Sequence, residues 1–405
     1  MLLTALIAIV VVGYALEEYL GYLNQRSARQ PVDPEIADLY DAGERERSLA
    51  YGAARYRVGF VASTVSTGAL VCALAFGWLA DLDRWVRNFV HHDIAISLAF
   101  FAALSVIGWW ISLPFSLYST FVIEARFGFN KTTWATFALD TVKATLLTSV
   151  IGGGILTAIL WIYQALGDAF WFAAWLLIAG FSLLMFMFGV SLIQPLFNKL
   201  TPLPEGELRD RIAAYCASQG YAIGKLSVMD GSKRSTKANA FFAGMGRSKT
   251  IVLFDTLIEK LSTDEIVAVL AHEIGHYKRR HTLGMFILTN LESFAMLFLL
   301  GWLLRYPQLS EALGASTPSF HLSAFTFFLL YTPISMVQGL LNNSLSRRNE
   351  FDADRFAKDT DSAIALASGL RKISADALSN LNPHPLYVLF NYTHPPLLQR
   401  LRALA

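Results

Sequence analysis

Charge is what this sequence has least of. Only 16% of its 405 residues are Asp, Glu, Lys or Arg, against 54% that are hydrophobic, whereas an ordinary soluble domain is about one quarter charged. That imbalance excludes the string of water-soluble domains that length alone would favour. The net charge of +2 provides no global basic field, so no nucleic acid is expected as a partner. There are two cysteines, Cys72 in an apolar run and Cys216 in a helical stretch, and neither belongs to a CxxC pair. A disulfide scaffold and a thiolate metal cluster are thereby excluded, and both cysteines read as buried free thiols. Internal repeats and low-complexity tracts are also missing. Residues 1–16 are apolar, but they lack a basic leader and run into Glu17 and Glu18 without a small-residue cleavage site. They are expected to stay in place as a membrane helix.

Long apolar runs are plentiful. A helix needs about 20 mostly apolar residues to cross the hydrocarbon core, and helices satisfy their own backbone there. Seven stretches qualify, at about 2–19, 58–80, 95–121, 139–164, 169–194, 283–304 and 321–342. The fold class is therefore a mostly α, multi-pass membrane protein. It divides into five spans (1–194), a segment off the membrane (195–282), spans six and seven (283–342) and a C-terminal helical segment (343–405). Arg26, Arg29, Arg45, Arg47 and Arg55 fall in the first loop and Arg126 and Lys131 in the third. The fifth connection is basic too, through Lys233, Arg234, Lys237, Arg247, Lys249 and Lys278–Arg280. Positive loops stay inside, so residues 195–282 and 343–405 are expected on the cytoplasmic face, with the N-terminus on the opposite side.

Several polar residues interrupt the spans: Asp140 and Lys143 at i, i+3 spacing, then Asn290, Glu292, Gln338 and Asn342. Ionisable groups at membrane depth face an interior or a water-filled cavity. For Asp140 and Lys143 a structural pair is the equal alternative. Off the membrane, strand candidates at Leu226–Met229, Ala238–Ala243 and Thr250–Phe254 make a small sheet. Ser262, followed three residues later by Glu265, is a capping box that opens a helix running to about Arg280.

That helix carries His272-Glu273-Ile274-Gly275-His276. Residues four apart on a helix differ by about 40° in azimuth, so both imidazoles leave one face and can fill two corners of a tetrahedral zinc site. Glu273 points elsewhere, too far round to be a ligand but near enough to serve as general base toward the attacking water. A catalytic zinc takes a third protein ligand, and Glu350, in Arg347-Arg348-Asn349-Glu350-Phe351-Asp352-Ala353-Asp354, is its best source. Asp354, four residues on, is placed to accept the second N–H of a ligand histidine. Of the other histidines, His91 and His92 read as surface residues of an outer loop and His281 as an interfacial cap. His321 begins a span on the far side, while His394, before Pro395 and Pro396, lies on the side of the zinc helix.

These features together resemble the CAAX prenyl protease 1 family, seven-helix membrane zinc proteases of the gluzincin class. The resemblance covers nearly the whole chain. It runs through Gly128-Phe129-Asn130-Lys131, Asn239-Ala240-Phe241-Phe242, Ile251–Leu257, His272–His276 and Glu350–Asp354 to His394-Pro395-Pro396-Leu397. It implies seven helices enclosing a water-filled chamber, with a zincin-like α+β catalytic region at its cytosolic end. One Zn2+ per chain is implied, on His272, His276 and Glu350, with Glu273 as base and His394 as the donor toward the developing oxyanion. Asn239, Ala240 and Phe241 would form an edge strand that pairs with extended substrate; a plain buried strand is the alternative there, as a structural capping role is for His394. The expected partners are the lipid bilayer and a peptide or protein substrate, prenylated or membrane-embedded, with CAAX-type C-terminal processing as the reaction. A quality-control protease for damaged membrane proteins is the same-class alternative. A seven-span transporter or receptor with an incidental motif is the different-class one.

Overall fold

The computed structural model describes residues 1–243 and 250–405; Arg247 and Lys249 of the basic fifth connection lie outside them. The first half is helical: α1 (Leu2–Ala28), α2 (Ala42–Ala75), α3 (Trp78–Arg87), α4 (Asp93–Tyr118, continued by a π-helical turn over Ser119–Glu124), α5 (Trp134–Leu166) and α6 (Phe170–Phe197). Then come β1 (Leu200–Pro202), α7 (Glu207–Ser218), β2 (Lys225–Met229), β3 (Ala240–Ala243), β4 (Thr250–Phe254), α8 (Asp255–Lys260) and α9 (Thr263–Lys278). The chain closes with α10 (His281–Leu303), α11 (Gln308–Glu311), α12 (Phe320–Thr360), α13 (Ala363–Asp376), α14 (Pro385–Asn391) and α15 (Leu397–Leu404).

Six helical stretches among the described residues are long and apolar enough to cross a membrane: Leu2–Ala28, Ala42–Ala75, Asp93–Glu124, Trp134–Phe197, His281–Leu303 and Phe320–Thr360. The fourth, of 64 residues, consists of α5 and α6, which meet at Gly167, whose φ of +52° favours glycine. The helices outrun their apolar cores. α2 starts at Ala42 because Asp41 and Glu44 form a reciprocal capping box. α12 continues unbroken to Thr360, so the residue boundaries at 194, 282 and 342 fall inside α6, α10 and α12.

α1, α2, α4, α5, α6, α10 and α12 each pack on the next, and α12 returns to α1, closing a ring. At most 22% of the apolar window of any stretch is buried, so most of each window is left uncovered by protein. At the end remote from α9, His321 of α12 reaches Asp83 (2.8 Å) and Ser97 (3.1 Å), tying α12 to α3 and α4. Glu292 accepts from Asn342 (3.1 and 3.2 Å), joining α10 to α12. Asp140 does not pair with Lys143: it takes Arg234 in a two-point contact (2.8 and 3.0 Å), while Lys143 donates to the Leu196 carbonyl (2.8 Å). The nearer cation in sequence is not the nearer one in space.

Off the ring, the four strands run in the order β1-β2-β4-β3, with β2 parallel to β4 and the outer pairs antiparallel. β4 is central and its Thr250–Leu253 are buried; β3 forms one edge. α9 lies against this sheet, burying Ile266, Leu270, Ala271 and Ile274 with Ile251, Leu253 and Leu257. The third loop joins the same assembly through Asn130, which bridges to Ser235. The first loop joins it too, where Arg402 of α15 pairs with Asp33 (2.7 Å) and Glu35 (3.0 Å).

Candidate metal centre

α9 begins as its sequence dictates. The Glu265 N–H donates to the Ser262 hydroxyl (3.3 Å) and the Ser262 N–H donates to the Glu265 carboxylate (2.8 Å). A cap of this kind stabilises a helix by about 1 kcal/mol. Glu265 is held further by Ser368 (2.6 Å) and Lys372 (2.8 Å) of α13, which fixes the start of α9 in the tertiary structure.

Four residues apart, His272 and His276 bring their Nε2 atoms within 3.1 Å of each other. Glu350 arrives from α12, with Oε2 3.3 Å from His272 Nε2 and Oε1 3.3 Å from His276 Nε2. Ligand-capable atoms of the three residues all lie within 4.8 Å. The approach of α12 depends on Gly275: a Cβ built there would stand 3.1 Å from the Ala353 Cα and 3.2 Å from its carbonyl oxygen. Few real Cβ atoms sit so close to backbone. Ala353 itself is fully buried.

Behind the cluster, Asp354 accepts the His272 Nδ1–H at 2.8 Å, which fixes the tautomer and turns the Nε2 lone pair inward. Asp354 is in turn gripped by Arg400 of α15 through Nε (2.9 Å) and Nη2 (2.6 Å), and both are buried. Burial alone would lower the His272 pKa, but the Asp354 and Glu350 carboxylates beside the ring outweigh it and push it up to about 9. The pocket attracts positive charge. Glu350, Asp354 and the half-buried Glu273 face one guanidinium, so carboxylates are in excess, and a metal ion on His272 Nε2 would take the place of the proton they otherwise hold there. Moreover, Glu350 Oε2 is buried without a hydrogen-bond partner, a costly state for a carboxylate oxygen. Two convergent imidazoles, an unsatisfied carboxylate oxygen and surplus negative charge are the donor set that suits a divalent zinc ion.

His394 also reaches the cluster. Its Nε2 lies 3.3 Å from Glu350 Oε1 and its side chain is 64% exposed, so it borders the site from the solvent side. Its Nδ1 meets the Thr393 hydroxyl at 2.9 Å. Asn239 and Ala240 lead into and begin β3, and Phe241 lies within it; the Phe254 N–H donates to the Asn239 carbonyl at 3.1 Å. Two residues at the site carry no signal in the sequence motifs. Arg400 follows the His-Pro-Pro motif by several residues and has no motif of its own. His281, expected to be an interfacial cap, instead places Nδ1 3.1 Å from His276 Nδ1.

Comparison with known proteins accounts for both halves of the chain. Residues 22–199 match the model of the CAAX prenyl protease N-terminal region, five membrane helices, and residues 202–405 match Peptidase family M48. The CAAX prenyl protease 1 homolog of Oryza sativa subsp. japonica is 36% identical, over 99% of this chain and 97% of the relative. The chain belongs to the CAAX prenyl protease 1 family. The Homo sapiens homolog is 32% identical, over 96% of this chain and 92% of its own length. The crystal structure of S. mikatae Ste24p matches with a TM-score of 0.95 at 30% identity, covering 100% of this chain and 99% of that one. The protein is thus a multi-pass membrane metalloendopeptidase, and the transporter-or-receptor alternative is set aside.

Proposed function

We propose that this chain is a zinc endopeptidase that hydrolyses peptide bonds of membrane-associated substrates, with CAAX-type C-terminal processing among its reactions. The observation that carries the proposal is the convergence of His272, His276 and Glu350 around an unpartnered buried carboxylate oxygen. These three residues would hold one zinc ion. When bound, zinc supplies a Lewis acid that lowers the pKa of water and polarises a scissile carbonyl. Glu273, half-buried beside His272, takes the proton of the attacking water and returns it to the leaving amine. With the Thr393 hydroxyl donating to Nδ1, His394 carries its proton on Nε2 and offers that N–H to the oxyanion. Arg400 and Asp354 keep His272 in one tautomer throughout. β3, an edge strand, accepts an extended substrate by main-chain pairing, which tolerates varied sequences in one geometry.

The same reading counts α5 and α6 as separate crossings, giving seven, and takes the interior of the helix ring as a hydrated chamber. The cluster of first loop, third loop, sheet and C-terminal helices on one face supports placing all of them in the cytoplasm. Impermeant labelling of single cysteines at 45, 88 and 405 in intact cells tests this; only position 88 should react.

The relatives bear the name CAAX prenyl protease 1, which is the ground for proposing a prenylated substrate. Purified protein in lipid vesicles should cleave a farnesylated CAAX peptide, and Glu273→Gln should not. Equal cleavage of farnesylated and unmodified peptides would favour a quality-control role instead. A Glu273→Gln variant with more than a small fraction of the activity would remove Glu273 as the base.

A further inference from the structure

His276 turns Nε2 toward His272 and Glu350. For that nitrogen to be a ligand, the ring proton must sit on Nδ1. The Nδ1–H points at His281, whose Nδ1 is 3.1 Å away and must therefore accept. An imidazole that accepts at Nδ1 while neutral carries its own proton on Nε2. That Nε2 lies 3.2 Å from Oδ2 of Asp352, an acceptor. Each tautomer in the row is fixed by the next. The His281 side chain is only 11% exposed, whereas Asp352 is 37% exposed and also faces Arg279 at 3.7 Å.

The backbone is bent to make this contact. Five residues along a continuous helix, His281 would stand about 140° round from His276 and could not meet it. Arg279 and Arg280 separate α9 from α10, and Arg280 breaks the helix with φ 60° and ψ 28°. A non-glycine residue in this left-handed conformation is unfavourable and is tolerated where the surroundings over-determine it. The break folds the first residue of α10 back onto the second histidine of α9.

We propose that His281, held by Asp352, is the positioning residue of His276: it fixes the tautomer and ring plane in which Nε2 faces the metal. It does for His276 what Asp354 does for His272, with a neutral imidazole inserted between the ligand and the carboxylate. The inference rests on the zinc-binding reading and extends it to a residue outside the His-Glu-x-x-His motif.

The test measures zinc dissociation from full-length protein into excess chelator, together with the thermal transition of the metal-free protein. His281→Phe keeps a ring but removes the acceptor, and should weaken zinc binding about 10–100-fold. His281→Asn returns an acceptor near the Nδ1 position and should recover most of that loss. Asp352→Ala, which leaves His281 in place, should give a smaller loss. The metal-free transition should stay unchanged in all three. Wild-type protein without stoichiometric zinc overturns the metal reading and this inference together. Zinc-replete wild type with His281→Phe equally retentive overturns the inference alone, as does equal loss in His281→Phe and His281→Asn, which would mark a packing role. If His281→Phe fails to fold, Asp352→Ala releasing zinc no faster than wild type overturns it.

Discussion

Gly275 of α9 lies against the backbone of Ala353 of α12, so closely that a Cβ at 275 would stand 3.1 Å from the Ala353 Cα. The residue just before the second histidine ligand thus sets the distance at which the helix bearing the third ligand can pass. The small residue at each end of the contact is a requirement of the site as well as of packing.

Gly275→Ala should therefore force α12 outward by a few tenths of an ångström and carry Glu350 with it. Overpacking of this kind typically costs about 1–3 kcal/mol. The expected result is a lower thermal transition together with faster zinc loss into chelator. Unchanged values in both measurements would show that α12 yields freely and that Gly275 does not set the site.

Arg400 and Asp354 form a buried pair, with contacts of 2.6 and 2.9 Å. Removing one member of such a pair leaves the other charge uncompensated, at a cost of about 3–5 kcal/mol. Arg400→Met should destabilise strongly, and adding Asp354→Leu should recover part of the loss. Zinc affinity should instead fall further in the double variant, because Asp354→Leu removes the acceptor for the His272 Nδ1–H. Affinity that follows stability through both steps would argue against orientation of His272 by Asp354.

Much of this arrangement was legible in the sequence, and the reasons are local. Ser262 and Glu265 announce the start of α9, and the four-residue spacing of His272 and His276 follows from helix geometry alone. Glu350 could be named because α12 carries it away from the span on the same side as α9. What was not legible depends on long-range packing. Asp140 lies one turn from Lys143 yet bonds Arg234, which the fold brings to it. Arg400 reaches Asp354 from a separate helix, and His281 reaches His276 only because Arg280 breaks the helix between them. No spacing rule encodes either contact. Helix lengths were underestimated where polar capping, as at Asp41, extends a span beyond its apolar core.

His394 borders the cluster from the exposed side, 3.3 Å from Glu350. As a donor to the developing oxyanion, its replacement by alanine should lower kcat about 10²–10³-fold. Zinc content and thermal stability should stay near those of the wild type. A stable, zinc-replete His394→Ala enzyme with normal turnover would leave it only a structural part.

In the β3–β4 ladder, Asn239 and Phe241 stand opposite Phe254 and Val252. The Phe254 N–H bonds the Asn239 carbonyl, so by alternation Ala240 turns its own N–H away from β4, where the Asn239 Oδ1 accepts it at 2.9 Å and a substrate carbonyl would take that place. Ala240→Pro deletes that outward donor without removing a ladder bond. If substrate pairs there, kcat/KM should fall about tenfold, the worth of one main-chain hydrogen bond at the upper end of its usual range. Zinc content should not change. Undiminished kcat/KM would place the substrate elsewhere.

The central claim is that His272, His276 and Glu350 together hold one zinc ion, and metal analysis under chelator challenge tests it most directly. Wild-type protein should retain one zinc per chain through a challenge that strips Glu350→Ala, with the metal-free forms of both showing the same fold by circular dichroism. Wild type without zinc, or Glu350→Ala holding it as firmly as wild type, would contradict the assignment.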